Sequence, residues 1–197
     1  PAILTHSIAT LCILNHECGL GVNYDSNEQS YQNTQVKLML GHSLGEYSAL
    51  LCSGSLNFKD ALFLLYERGK SMQKAVPEGK GSMVAVLGMT SEIVKELIIT
   101  SKCDSDLIQV ANDNDPSQVV ISGEKQEVQN FIAFLKEKKS KRTIDLPVSA
   151  PFHSPLMKHA ASAMEAELKK VKVSSPIVPI IQNVDLSVLK STNGLVD

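Results

Sequence analysis

Apolar positions along the chain fall into blocks with two different periods. Between Pro1 and Gly19, Ile3, Leu4, Ile8, Leu11 and Leu14 recur at helical spacing behind a proline suited to a first turn. That pattern predicts an amphipathic helix packed on a sheet. Residues 20–35 are polar, with Asn, Asp, Ser, Gln and Gly, and predict an exposed loop. The apolar run Val36–Leu40 then predicts a strand, followed after a tight turn by a helix from Leu44 to about Cys52. Asn57 with Asp60 is close to a capping box. It opens a helix directing Ala61, Leu62, Leu64, Leu65, Met72 and Ala75 to the core, ended by Val76-Pro-Glu-Gly79.

The middle of the chain has an order of its own. Ser82–Leu87 reads as a strand, Ser91–Ser101 as a helix capped by Thr90, Leu107–Ala111 and Gln118–Ser122 as strands. Glu124–Lys139 reads as a helix and Arg142–Leu146 as a last strand. The order β-α-β-β-α-β is that of a ferredoxin-like unit, which predicts a subdomain over residues 81–146 inserted between 1–80 and 147–197. Asn112-Asp-Asn-Asp-Pro116 is expected to be the turn joining the middle strands, its asparagines turn-formers first and site-lining groups second. Beyond it, Leu146-Pro-Val-Ser-Ala-Pro-Phe-His-Ser-Pro155 carries three prolines and predicts a rigid irregular loop. Pro155 opens a helix to about Val171, and Ile177–Gln182 resembles a buried strand. The tail from Leu186 carries no signal.

With 197 residues the chain is long enough for a substantial core, and 43% hydrophobic with 20% charged residues is ordinary for a soluble globular protein. A net charge of −2 gives no reason to expect nucleic acid or an anionic membrane as partner. Lysines and Arg142 do cluster over residues 136–142, most simply as a solvated helix end and alternatively as a docking patch for an acidic partner. Cys12, Cys18, Cys52 and Cys103 form no C-x-x-C pair and no zinc-like spacing, so reduced thiols inside a cell and no metal are expected. No apolar run is long enough to span a bilayer, and no signal peptide is visible, although the chain starts at Pro1 rather than Met.

The stretch with most chemical content is Gly41-His-Ser-Leu-Gly45. Strand, sharp turn and helix around Gly-x-Ser-x-Gly is the setting of a nucleophile elbow, in contrast to a chance match in a surface loop. The turn forces the serine into a strained backbone, and glycine on both sides removes side chains that would collide. Ser43 is therefore the candidate nucleophile. A serine nucleophile needs a base, an oxyanion site and an acyl pocket. Of the five histidines, His153 alone lies in a rigid loop outside both helix and elbow, although a loop histidine is ordinarily only surface. His42 adjoins Ser43 and should point away from it. No Asp or Glu is nominated to orient the base, so a dyad is expected. Arg68 sits near the apolar stripe beside Gly69, by default a solvated or salt-bridged arginine and alternatively a buried fork for a carboxylate.

Four collinear segments carry a resemblance. Gly41-His-Ser-Leu-Gly-Glu-Tyr-Ser-Ala-Leu50 resembles the nucleophile motif of malonyl-CoA:acyl carrier protein transacylases, and Glu67-Arg-Gly-Lys-Ser-Met-Gln-Lys-Ala-Val-Pro77 resembles that family's arginine helix. Residues 111–123 and 148–157 are similar to two further segments, in matching order and spacing. The resemblance covers nearly the whole chain. It implies an α/β fold with an α/β-hydrolase-like parallel-sheet core carrying the ferredoxin-like subdomain. It implies a malonyl group moved from malonyl-CoA to the phosphopantetheine thiol of acyl carrier protein through a malonyl-Ser43 intermediate, with His153 as base. It also implies Arg68 paired with the malonate carboxylate, the Leu44 N–H as oxyanion donor, and His42 and Phe152 at the substrate. Phe152 resembles the malonyl-selective version of the loop. No cofactor is implied beyond the phosphopantetheine carried by the partner, and a monomer in a bacterial cytoplasm or mitochondrial matrix is expected.

Members of that family begin with a Gly-Gln-Gly segment and continue into a Gln-containing segment that orients the histidine, and neither has a counterpart here. Both ends therefore read as truncated, and weak or no activity is expected of this piece alone. Two other functions use the same residues: a serine esterase or thioesterase, which has no use for a cation in its acyl pocket, and a non-catalytic module that binds a carrier protein.

Overall fold

Gly19 closes the first helix, α1 (Ala2–Cys18), in the left-handed conformation at φ 60, its N–H bonded to the Asn15 carbonyl. The computed structural model describes residues 1–22, 34–138, 142–148 and 150–191. Most of the polar loop expected over 20–35, the middle of the basic run 136–142 and the end of the tail lie outside the described residues. The chain divides into two compact units, Pro1–Glu67 with Ala166–Asp197, and Arg68–Glu165. It is a mixed α/β protein, with a four-stranded and a two-stranded sheet among the described residues.

In the first unit, α1 buries Leu4 and Ile8, while Leu11 packs against Val22 and Val178. Ile3 and Leu14, expected in the core, are 65% and 42% exposed. They sit roughly 80–100° around the helix from the Leu4–Ile8–Leu11 stripe, because α1 is apolar on more faces than its described neighbours cover. The strand expected over Val36–Leu40 is reduced to one parallel bridge, Met39 with Ile180. Met39 donates its N–H to the Pro179 carbonyl at 2.8 Å, and Ile181 donates back to the Met39 carbonyl at 2.9 Å. The next rung toward Lys37 would need an N–H at position 179, and proline has none. For the same reason the strand expected over Ile177–Gln182 contracts to β5 (Ile180–Ile181). It forms a hairpin with β6 (Val188–Leu189), inside the tail that carried no sequence signal. The elbow helix is α2 (Gly45–Cys52), burying Ala49 and Leu51.

The helix α3 (Phe58–Ala75) starts as expected, with Asn57 Oδ1 accepting the Asp60 N–H at 2.8 Å. The second unit contains β1 (Gly81–Leu87), α4 (Ser91–Thr100), β2 (Ile108–Asp115), β3 (Gln118–Glu124), α5 (Lys125–Glu137) and β4 (Thr143–Asp145). Thr90 caps α4 and the Glu124 carboxylate caps α5, accepting the Glu127 N–H at 3.0 Å. The sheet is antiparallel in the order β2-β3-β1-β4. Alternation along β1 sends Val84 and Val86 to one face, where they meet Ile108, Val119 and Ile121 and the helix residues Val94, Ile98, Val128, Phe131 and Leu135. Met83 and Ala85 point to the other face with Val120, where Leu146 and Phe152 pack on them.

One turn differs from expectation. Asn112–Asp115 is the end of β2, kept in register with β3 by irregularities between Val110 and Asn112 and between Asp113 and Asp115. The turn is tighter and later, with Asp115 Oδ1 accepting both the Ser117 N–H and hydroxyl. The second unit is also wider than residues 81–146. Its extra C-terminal part returns along the sheet through Pro151 and Phe152, then a 3-10 turn (Pro155–Met157), into α6 (Lys158–Leu168).

Candidate functional site

Ser43 lies in the first unit with a left-handed backbone, φ 52. A β-carbon is crowded there, and such a conformation costs about 1–3 kcal/mol and persists only where neighbours enforce it. The enforcing contacts are local. The Gly45 N–H donates to the His42 carbonyl, Glu46 to Ser43 and Tyr47 to Leu44, at 2.9, 3.1 and 3.1 Å, a tight winding that leads into α2. Gly41 has no room for a side chain: a β-carbon on it would lie 2.1 Å from the carbonyl carbon and oxygen of Gly45. Gly45 is different, since a β-carbon there would have no neighbour within 4 Å. Only the first of the two elbow glycines is therefore sterically required, against the expectation that both are.

The Leu44 N–H has no hydrogen-bond partner among the described residues. It sits at the N-terminal end of α2, where the helix dipole favours negative charge. His42 is exposed, at the outside of the turn. Sequence reasoning missed the residue that ties the elbow from the side, Asn183. Its Oδ1 accepts the Ser43 N–H at 2.8 Å and its Nδ2 donates to the Gly41 carbonyl at 2.7 Å. The only signal was its place directly after the predicted strand Ile177–Gln182.

His153, in the second unit, is also left-handed, at φ 56. Its loop is held at several points. Pro151 packs on Gly81, where any β-carbon would come within 2.2 Å of the proline Cδ. The buried Ser154 hydroxyl donates to the Pro151 carbonyl at 2.7 Å, and the Phe152 N–H to the Ala150 carbonyl at 2.9 Å. Gln109 on β2, not singled out by the sequence, donates its Nε2–H to the His153 carbonyl at 2.7 Å. Phe152 is half-buried against Met83, Ala85 and Val120, so its ring is part of the packing that carries the loop. Arg68 is half-buried on α3, at the start of this unit.

Among the described residues no group of three or more His, Cys, Asp or Glu is placed to hold a metal ion. No helix among them is long and apolar enough to cross a membrane. The Cys52 thiol at the end of α2 is pushed up to about 11, first by burial and then by the nearby Cys12.

Residues 29–193 match the acyl transferase domain family. The chain is 41% identical over 186 residues to a malonyl CoA-acyl carrier protein transacylase of Salmonella typhimurium, covering 94% of this chain and 55% of that protein. It resembles a crystal structure of the acyl-carrier-protein-S-malonyltransferase of Bartonella henselae with a TM-score of 0.84 and 40% identity, over 100% of this chain and 59% of that one. It also resembles a malonyl-transacylase solved in complex with its type II PKS acyl-carrier protein, with a TM-score of 0.83 and 36% identity, over 97% and 57% of the two chains. The chain thus spans about half the length of the curated relatives it matches. With the family match extending over most of its length, and a left-handed serine in its Gly-His-Ser-Leu-Gly turn, the chain belongs to the acyl transferase domain family.

Proposed function

We propose that the protein transfers a malonyl group from malonyl-CoA to the phosphopantetheine thiol of an acyl carrier protein. Ser43 Oγ attacks the thioester carbonyl while His153 removes its proton. The tetrahedral oxyanion is met by the Leu44 N–H. Its collapse breaks the C–S bond, and the proton held by His153 goes to the departing CoA sulfur. In the second half, the carrier's thiol gives its proton to His153 and attacks malonyl-Ser43, returning the serine hydroxyl. Arg68 holds the free carboxylate of the malonyl group through a two-pronged guanidinium contact, which selects against acetyl. His42 and Phe152 border the acyl group.

The observation that carries the proposal is the backbone of Ser43: left-handed, at a helix start, next to a Leu44 N–H without a described partner. Likeness to a transacylase solved with its acyl-carrier protein supports the partner. The strand order β2-β3-β1-β4 supports a ferredoxin-like unit, and the parallel Met39–Ile180 bridge beside the elbow supports a hydrolase-like core. Four cysteines present as thiols suit an intracellular enzyme, which we take to be monomeric and to need no cofactor.

Intact-protein mass spectrometry after brief incubation with malonyl-CoA tests this. A single malonyl adduct is expected on wild type and not on Ser43→Ala, with transfer to added carrier protein. In Arg68→Ala the adduct is lost or replaced by acetyl when acetyl-CoA is offered. Absence of any adduct on folded wild type overturns the proposal, and malonate released to water in place of transfer marks a hydrolase.

A further inference from the structure

We propose that Asn183 is a positioning residue for the nucleophile, its side-chain amide setting the backbone of Ser43. The inference rests on the reading of Ser43 as the nucleophile. It starts from the parallel bridge. Met39 N–H donates to Pro179 O, and Ile181 N–H donates to Met39 O. Two residues further along, the same ladder would have the Asn183 backbone N–H donate to Gly41 O. Instead that carbonyl receives the Asn183 side chain, Nδ2–H to O at 2.7 Å. The backbone N–H of Asn183 is directed at Glu46 Oε2, 3.4 Å away on the first turn of α2. The other half of the amide, Oδ1, accepts the Ser43 N–H at 2.8 Å.

One planar group thus spans the two peptide groups on either side of His42. It replaces a ladder rung just where the chain must leave the strand direction and turn into the helix. Three consequences follow for Ser43. Its strained φ of 52 is fixed from outside the turn as well as from within it. Its N–H is occupied, which leaves the N–H of Leu44 as the neighbouring donor for an oxyanion. Its hydroxyl is carried on a backbone held at the N–H of Ser43 itself and at the carbonyl of Gly41. Only asparagine supplies an acceptor and a donor at this reach. Aspartate keeps the acceptor for Ser43 and sets a second oxygen against the Gly41 carbonyl, where both atoms are acceptors.

The test compares the full wild-type chain with Asn183→Asp and Asn183→Ala by two readouts on Ser43. These are the single-turnover rate of malonyl adduct formation and the rate of labelling by a fluorophosphonate, each expressed per folded molecule. In both variants the first-order adduct rate at saturating malonyl-CoA is expected to fall about 10²-fold, the half-saturating concentration changing by no more than about threefold. Fluorophosphonate labelling slows in parallel. A purely structural role predicts loss only in proportion to the unfolded fraction, and wild-type rates in the folded variants overturn the inference. Should wild type accept the fluorophosphonate but not malonyl, the proposed substrate fails while the fluorophosphonate rates still decide the role of Asn183. Amide exchange on wild type gives an answer that needs no variant. The Ser43 N–H is expected to be protected, and exchange at the rate of an unbonded amide overturns the inference.

Discussion

Gln109 and His153 are joined by a single hydrogen bond, from the Gln109 side-chain amide to the His153 backbone carbonyl at 2.7 Å. Gln109 sits on β2, the edge strand paired with β3 in the sheet of its unit, while His153 stands in the proline-bounded loop with a left-handed φ of 56. The bond therefore ties a strained loop residue to a rigid strand. Under the proposed role of His153 as base, Gln109→Ala leaves the imidazole in place but frees its backbone. One such bond is worth about 1 kcal/mol net, so acylation of Ser43 is expected to slow about 3- to 10-fold. The same loss of about 1 kcal/mol is expected to lower the thermal midpoint by about 2–4 °C. Stopped single-turnover kinetics with malonyl-CoA checks the rate, and an unchanged rate removes Gln109 from the site.

The two elbow glycines should part company on substitution. A β-carbon on Gly41 meets the backbone of Gly45 at 2.1 Å and the N atom of Glu46 at 2.7 Å, none of which can swing aside. Gly41→Ala is expected to open the turn and abolish labelling of Ser43. At Gly45 there is room, and the residue is the first of α2. Gly45→Ala is expected to raise stability by about 0.5–1 kcal/mol by reducing the freedom of the unfolded chain. Thermal melts of the two variants beside wild type separate these outcomes, and equal destabilisation by both would contradict the geometry.

That contrast marks what the sequence could and could not disclose. The elements of the middle stretch were legible because their signals are local: alternation along Met83–Val86, and a cap at Thr90 within a turn of the group it bonds, whereas Glu124, read as the first helical residue, is the cap of α5. The tight turn at Ser43 and the irregular loop around His153 were legible from the glycines and prolines beside them. The positioning groups were not. Asn183 acts on Ser43 across 140 positions of sequence and Gln109 on His153 across 44, and a lone polar residue does not announce so distant a partner. Turn composition misled at Asn112–Asp115, where bulges let four turn-favouring residues stay in a strand. Strand length misled at Val36–Leu40, because the limit came from the missing N–H of Pro179 on the partner segment.

Gly81 should be as intolerant as Gly41, through a different neighbour. Its position faces Pro151, whose Cδ, Cγ and Cβ would lie 2.2, 2.4 and 2.8 Å from an added methyl group. Overpacking of this kind costs about 1–3 kcal/mol, and here the displaced residue begins the turn that carries His153. Gly81→Ala is expected to lower both the thermal midpoint and the acylation rate. Pro151→Ala removes the two nearest ring atoms, so the double variant should recover part of the loss in stability. A double-mutant cycle by urea unfolding measures that coupling, and strict additivity would show that the contact does not govern the loop.

Cys52 gives stability a pH dependence of known sign. Its thiol is raised from 9.0 to about 11, first because burial disfavours the thiolate and second because of the nearby Cys12. The unfolded chain therefore loses this proton at lower pH than the folded chain does. The stabilisation is fully present below about pH 9 and is lost as pH rises from there toward about 11, amounting to roughly 2–3 kcal/mol for a shift of this size. Other groups titrate in the same range, so the informative quantity is the difference between wild type and Cys52→Ala. At pH 8 the variant is expected to be the less stable of the two, having lost buried side-chain volume. Above pH 9 the gap should close, since only wild type loses stability through this thiol. Urea unfolding at steps from pH 8 to pH 11 follows the gap directly. A gap that stays constant across that range would mean that Cys52 ionises alike in both states, and so that its burial does not hold the proton.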